Sequence, residues 1–189
     1  IELERFYRTA LDWLAPQTIL IDWLYPAAER LAQLRQQSSL DELRYHWLAS
    51  QLQHLTLDWL SKLPMQPGAQ TVVIGTLVPD RDTLATHRLA IEIKLAGLTP
   101  QVLAQPASLE TLLTAQQHWR GKALVLTAKS KLPMSIFGPH TQALATMDAP
   151  IILVGSEGNK CNLPPSVQFL AQELSPVEQA HHILQAIRH

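Results

Sequence analysis

The sequence predicts an α/β chain in two parts: a helical bundle, then a doubly wound parallel sheet of five strands. Three observations carry this. Apolar residues recur at helical spacing through residues 2–63, Pro64, Pro67 and Gly68 interrupt the pattern, and from residue 70 onward short strand-like runs alternate with helical stretches. With 47% hydrophobic and 16% charged residues in 189, the chain can build a packed core and lacks the composition of a disordered one.

In the helical part (residues 1–63), Phe6, Ala10, Trp13 and Leu14 share one face. Ile19, Leu20, Trp23 and Leu24 continue the stripe, followed by Ala27, Ala28, Leu31 and Leu34. Pro16 suits a first helical turn, and Pro26, inside the second pattern, predicts a kink. Ser38, Ser39 and Asp41 precede a third helix, with Ser39 and Glu42 at capping-box spacing. Its inward face is predicted to carry Leu43, Trp47, Leu48, Leu52, Leu55 and Trp59, and it ends near Pro64. The tryptophans read first as packing residues.

In the second part (residues 70–189), strands are predicted at 71–77, 101–104, 123–127, 150–154 and 167–170. Helices are predicted at 83–96, closed by Gly97, at 109–119, at about 135–147, where Gly138 and Pro139 weaken it, and at 177–187. Alternating strands and helices imply a parallel sheet covered on both faces. Right-handed crossovers then give the flavodoxin-like order.

A net charge of −1 leaves no electrostatic footprint for nucleic acid in this chain. The single cysteine, Cys161, has no internal partner, which suits a reducing cytoplasm. No apolar run approaches the roughly 18 to 20 residues that span a bilayer. Glu2, Glu4 and Arg5 stand where a signal peptide would be apolar. The chain starts without Met in a helical pattern, so it is expected to be a piece of a longer protein.

Ligands of open parallel sheets bind beyond the carboxyl ends of the strands, which directs attention to the loops 76–85, 127–133 and 155–159. The first, TLVPDRDTLA, has no glycine after Gly75, so neither a dinucleotide turn nor a P-loop is present. Asp80 and Asp82 read more readily as caps of the following helix, Asp82 above all, than as a metal or phosphoryl-acceptor pair. His46 and His54 are two turns apart, and His181 and His182 are adjacent, so no metal-ligand spacing emerges. His87 and His140 read as partly exposed surface histidines. No nucleophile elbow and no nucleophile–base pair is visible, so no catalytic or metal-binding residue is assigned.

The layout of bundle, Pro linker and doubly wound domain resembles the sensory half of MerR-type transcriptional regulators of the CarH/LitR kind. It is similar also to the cobalamin module of methionine synthase. Leu24-Tyr25-Pro26, His46-Trp47-Leu48-Ala49-Ser50 and the stretch from Val72 to Gly97 carry the likeness. The resemblance implies a cobalamin-binding-like domain, and it also shows departures. The family's acid–x–His–x–x–Gly loop, whose histidine ligates cobalt from below, stands here as Asp80, Arg81, Asp82, Thr83, Leu84, Ala85. A carboxylate is a poor replacement for imidazole on cobalt. Gln36, His46 and Trp47 occupy the upper-face positions, Thr127-Ala128-Lys129 the Ser-x-Leu positions, and Gly155-Ser156 the Gly-Gly positions. These residues are the expected, degenerate ligand site.

The resemblance therefore implies a cytoplasmic, non-enzymatic sensory and oligomerisation domain of a MerR-type regulator. It would form homo-oligomers, reach DNA only through a helix-turn-helix preceding residue 1, have no contact with membranes, and lack histidine-ligated cobalamin. The alternatives are a tetrapyrrole sensor, holding cobalamin or haem, and a corrinoid carrier of a methyltransferase system.

Overall fold

Two prolines and one serine decide how the helical pattern of the first unit is cut. The computed structural model describes residues 2–34, 38–63, 67–78 and 83–188, in two units, Ile1–Pro64 and Met65–His189. In the first unit α1 is Glu2–Ala10, and the three-residue α2, Pro16–Thr18, has its proline in the first turn. Ile19–Leu24 then winds as a π-helix whose closing bond runs from the Tyr25 N–H to the Leu20 carbonyl, and α3, Tyr25–Leu34, follows. The expected kink at Pro26 thus takes the form of a π-segment. Proline gives no N–H to the carbonyl four residues back and its ring crowds that carbonyl, so the ladder widens just upstream.

Helix α4, Ser39–Lys62, is capped by Ser38 rather than by the Ser39–Glu42 pair. Ser38 Oγ accepts the Asp41 N–H at 3.1 Å and donates to the Asp41 carboxylate at 2.7 Å. Leu48, Leu52, Leu55 and Trp59 are buried as expected, but Leu43 and Trp47 are 65% and 48% exposed. The buried stripe includes Tyr45 and Thr56 instead, and Tyr25 Oη meets Thr56 Oγ1 at 3.0 Å inside the unit. A satisfied hydroxyl pair behaves as core, which turns the helix away from the purely apolar stripe. Phe6 and Trp23 are also partly exposed, with ring centroids 5.7 Å apart, and Trp13 is 85% exposed. Of the tryptophans, Trp59 is the buried one among the described residues.

The second unit is a parallel sheet of five strands among the described residues, in the order β2-β1-β3-β4-β5. These are β1 Thr71–Thr76, β2 Thr99–Val102, β3 Ala123–Ala128, β4 Ile151–Gly155 and β5 Val167–Ala171. The helices are α5 Leu84–Leu95, α6 Leu109–Trp119, α7 Thr141–Ala145 and α8 Pro176–Arg188. Val73, Leu124, Leu126 and Leu153 face a core built with Leu109, Leu112 and Leu113 of α6, while α5 packs with α8. Strand period two sends Val72, Ile74 and Ile152 to the opposite side.

Strand β2 begins two residues before the predicted 101–104 and contains Pro100, which an edge strand tolerates because its outer N–H has no ladder partner to lose. Gly97 closes α5 at φ 86°, with Leu98 N–H on the Ile93 carbonyl and Gly97 N–H on the Lys94 carbonyl. Gly75 lets α6 approach, since a Cβ there would lie 2.5 Å from Leu112 Cδ2. The helix expected over 135–147 is broken into two 3₁₀ turns, Met134–Ile136 and Gly138–His140, before α7. Gly138 and Pro139 explain the break. Ser175 and Glu178 cap α8 reciprocally, at 2.8 and 3.3 Å. No helix among the described residues is long and apolar enough to cross a membrane.

Candidate functional site at the strand switch point

Strands β1 and β3 are neighbours, yet the chain leaves β1 toward β2 on the other side, so the crevice between their carboxyl ends is the switch point. In-register pairing sets Thr76 beside Thr127 there. One turn into α5, Thr86 reaches the same place. Its Oγ1 lies 2.6 Å from Thr76 Oγ1 and 2.5 Å from Thr127 Oγ1, and the last side of the triangle is 3.2 Å. Each hydroxyl has one proton and can accept from a neighbour, so the three can donate around a closed ring. Thr76 and Thr86 are fully buried and Thr127 nearly so. Thr127 Oγ1 also lies 3.5 Å from the Gly75 carbonyl.

A second polar knot joins the loops after β3 and β4. Asn159 sits in the 3₁₀ turn Glu157–Asn162 with its side chain buried. Its Oδ1 accepts the Leu132 N–H at 2.7 Å, and its Nδ2 donates to the Ser130 carbonyl at 3.1 Å. Weaker contacts reach the Ala128 carbonyl at 3.5 Å and Ser156 Oγ at 3.4 Å. Gly155 makes this closeness possible: a Cβ on it would stand 2.7 Å from the Ala128 carbonyl oxygen and 3.2 Å from Asn159 Nδ2.

Thr127, Gly155 and Ser156 therefore come together at the carboxyl edge of the sheet, and Ala85 adjoins Thr86 in the first turn of α5. Asp80, Asp82 and Gln36 lie outside the described residues. Thr83 is the N-cap residue of α5 and makes no side-chain capping bond. His46 and Trp47 belong to the first unit, on α4. His46 is largely exposed, 3.8 Å from Glu42, and Trp47 is half-exposed. Among the described residues no group of three or more His, Cys, Asp or Glu side chains could hold a metal.

His87 is a correction to the surface reading. It is fully buried, because α5 shows apolar residues on nearly every side, from Leu84 through Ile93. Its Nδ1 lies 2.7 Å from the Thr83 carbonyl, so Nδ1 carries the proton and Nε2 the lone pair. Nε2 is buried without a partner among the described residues. Burial holds the imidazole below its ordinary pKa, partly offset by the bond to Thr83.

Sequence reading missed Thr76, Thr86, His87 and Asn159. Thr76, like the expected Thr127, is detectable as the polar end of an apolar strand. Thr86, His87 and Asn159 are ordinary helix or loop residues until the fold converges on them.

The cobalamin that the resemblance implies is poorly matched by these groups. The Thr127 hydroxyl faces Thr76 and Thr86, and the Gly155 cradle is filled by the Asn159 amide and the Ala128 carbonyl. No family model and no curated relative matches the sequence. Among solved structures, a chain of the methanol:cobalamin methyltransferase complex MtaBC from Methanosarcina barkeri is similar, at TM-score 0.55 and 15% identity, over 92% of this chain and 68% of that one. The signal receiver domain of the response regulator NarL from Mycobacterium tuberculosis gives 0.47 and 12%, over 64% of this chain and 97% of its own. The lysine decarboxylase LdcF from Francisella novicida gives 0.43 and 16%, over 64% and 17%. The first likeness is one of fold alone, a helical part followed by a parallel α/β sheet, and the other two are too weak to add to it.

Proposed function

We propose that this chain is a non-enzymatic sensory and self-associating module of a MerR-type transcriptional regulator that does not hold cobalamin through a histidine. The observation that supports this reading is the switch point itself. The fold keeps the ligand-binding layout, while the hydroxyl that would face a ligand is satisfied by two others of the protein. Asp82 stands where the resemblance places the cobalt-ligating imidazole. The module would pass its state to DNA through a reader domain elsewhere in the longer protein. No residue here is assigned a chemical step.

The test is to mix the protein and its Asp82→His variant with hydroxocobalamin or adenosylcobalamin, desalt, and record spectra. Neither is expected to retain the corrinoid. Stoichiometric retention by the wild type would overturn the reading, and retention by Asp82→His alone would reduce it to one missing ligand.

One observation favours a second reading, a tetrapyrrole sensor. His87 offers an oriented and bare Nε2, with its other ring nitrogen fixed on a carbonyl in the manner of metal-bound histidines. Haemin titration decides between them: a Soret shift lost in His87→Ala would support the sensor. The MtaBC likeness supports a third, a corrinoid carrier, through fold alone.

A further inference from the structure

The two edges of the sheet are treated differently by the sequence. Strand β2 is short and carries Pro100, both common ways of blunting an edge. Strand β5, VQFLA, has neither proline nor charge, and no charged residue occurs between Lys160 and Glu173. We infer that β5 is the seam of a symmetric dimer, in which two copies join their sheets antiparallel about Phe169. This rests on the self-association proposed above and names the surface that carries it.

The backbone itself specifies the match. Gln172 N–H bonds the Gly155 carbonyl at 2.9 Å, and the ladder pairs Phe169 with Leu153. In a parallel ladder alternate residues point both backbone groups to the same neighbour. Gln168 and Leu170 therefore face β4, and Val167, Phe169 and Ala171 face outward. Of the outward groups, Val167 N–H is taken by the Pro164 carbonyl at 2.9 Å and the Ala171 carbonyl by Leu174 N–H at 3.3 Å. Left over are both groups of Phe169, the Val167 carbonyl and the Ala171 N–H, with no partner among the described residues.

These leftovers complement their own two-fold image. With Phe169 opposite Phe169 of a second copy, the two residues exchange both N–H···O bonds. Each Ala171 N–H then meets the Val167 carbonyl of the other copy. The Val167 N–H and the Ala171 carbonyl, which would otherwise pair with each other in this register, are already held by the flanking turns, so no group at the seam is left without a partner. No charge is brought to the seam, so two copies meet without repulsion.

The side chains agree. On the α8 face a cleft of about 370 Å³ is lined by Ile152, Gln168, Leu170, His182, Gln185 and Ala186. It keeps α8 off the outer rim of β5. In the antiparallel register Leu170 of one copy stands directly opposite Gln168 of the other, on this face, so an apolar side chain meets the mouth of each cleft.

The test is sedimentation equilibrium of the protein and two variants, with amide hydrogen exchange. Wild type is expected to be dimeric at roughly tens of micromolar, where weak interfaces fill. Ala171→Pro removes an outward donor and no bond to β4, and Gln168→Lys sets a charge beside the two-fold axis. Each is expected to weaken the dimer at least about tenfold with unchanged circular dichroism. Phe169 and Ala171 amides are expected to be protected in the dimer and to lose protection on dilution. A monomeric wild type overturns both the seam and the self-association. A dimer that both variants leave intact, or one dissociated by Leu43→Ser with Trp47→Ser instead, overturns the seam and leaves self-association standing.

Discussion

At the switch point and at the β5 edge the same sheet disposes of its polar groups in opposite ways. Beyond β1 and β3, where open parallel sheets bind ligands, three hydroxyls close on one another and an asparagine ties two loops shut. Along β5, where most proteins interrupt pairing, backbone donors and acceptors have no partner among the described residues and form a self-complementary set. Buried polar groups that satisfy each other make a stable interior and a poor receptor. Unsatisfied ones at an edge make a surface that gains by association. The comparison teaches that a fold's usual binding place need not be where a given sequence spends its unpaired groups.

The knot at Asn159 should yield the largest effect. Asn159→Ala leaves the Leu132 N–H without its acceptor, and a stranded buried group of this kind costs about 1–3 kcal/mol. Urea titration is expected to show a lower midpoint with an unchanged m-value. No change would mean that the loops are not held by this side chain.

The hydroxyl ring gives a non-additive test. Thr86→Val keeps the shape but takes one hydroxyl from the ring, and is expected to destabilise by about 1–2 kcal/mol. Replacing Thr76, Thr86 and Thr127 together by Val removes donors and acceptors alike. It should cost less than the three single changes summed, because apolar groups of the same shape leave nothing unsatisfied. Simple additivity would indicate that the hydroxyls bond outward rather than to each other.

His87 adds a pH dependence with a fixed sign. Its folded pKa lies below the unfolded value, so the unfolded chain binds the proton more readily as pH falls. The stability it contributes is present above the unfolded value of about 6.5 and is lost as pH drops toward the folded value. Thermal melts between roughly pH 7.5 and 5.5 should show a steeper loss for wild type than for His87→Leu. Parallel profiles would place a proton acceptor against Nε2.

The smallest effect is expected at the open edge. Gln168→Lys should change the stability of the isolated monomer by less than about 0.5 kcal/mol, as exposed positions do. A large loss would show Gln168 to be part of the core rather than of an unpaired rim.

Much of the fold was legible because periodicity is local. Strands β1, β3, β4 and β5 and helices α5, α6 and α8 lie within a few residues of their sequence-based bounds, and Gly97 marks a left-handed helix end as glycine there should. The failures are where local signals competed. Ser38 and Ser39 both offered a cap, and Pro26 produced a π-segment in place of a simple bend. Leu43 and Trp47 are as apolar as their buried neighbours, yet they lost the interior to Tyr45 and Thr56, whose hydroxyl bond Tyr25 completes only after α3 and α4 have packed.

By itself, then, the sequence determined the strand–helix alternation, and with it the parallel sheet, its order and the place of the switch point, since these follow from side-chain period and chain connectivity. Only tertiary structure decided what that place contains. Thr76, Thr86 and Thr127 are separated by 10 to 51 positions and Asn159 stands 27 beyond Leu132. Whether such hydroxyls and amides face a ligand or one another depends on ångström distances between elements, and those are set when the helices dock on the sheet.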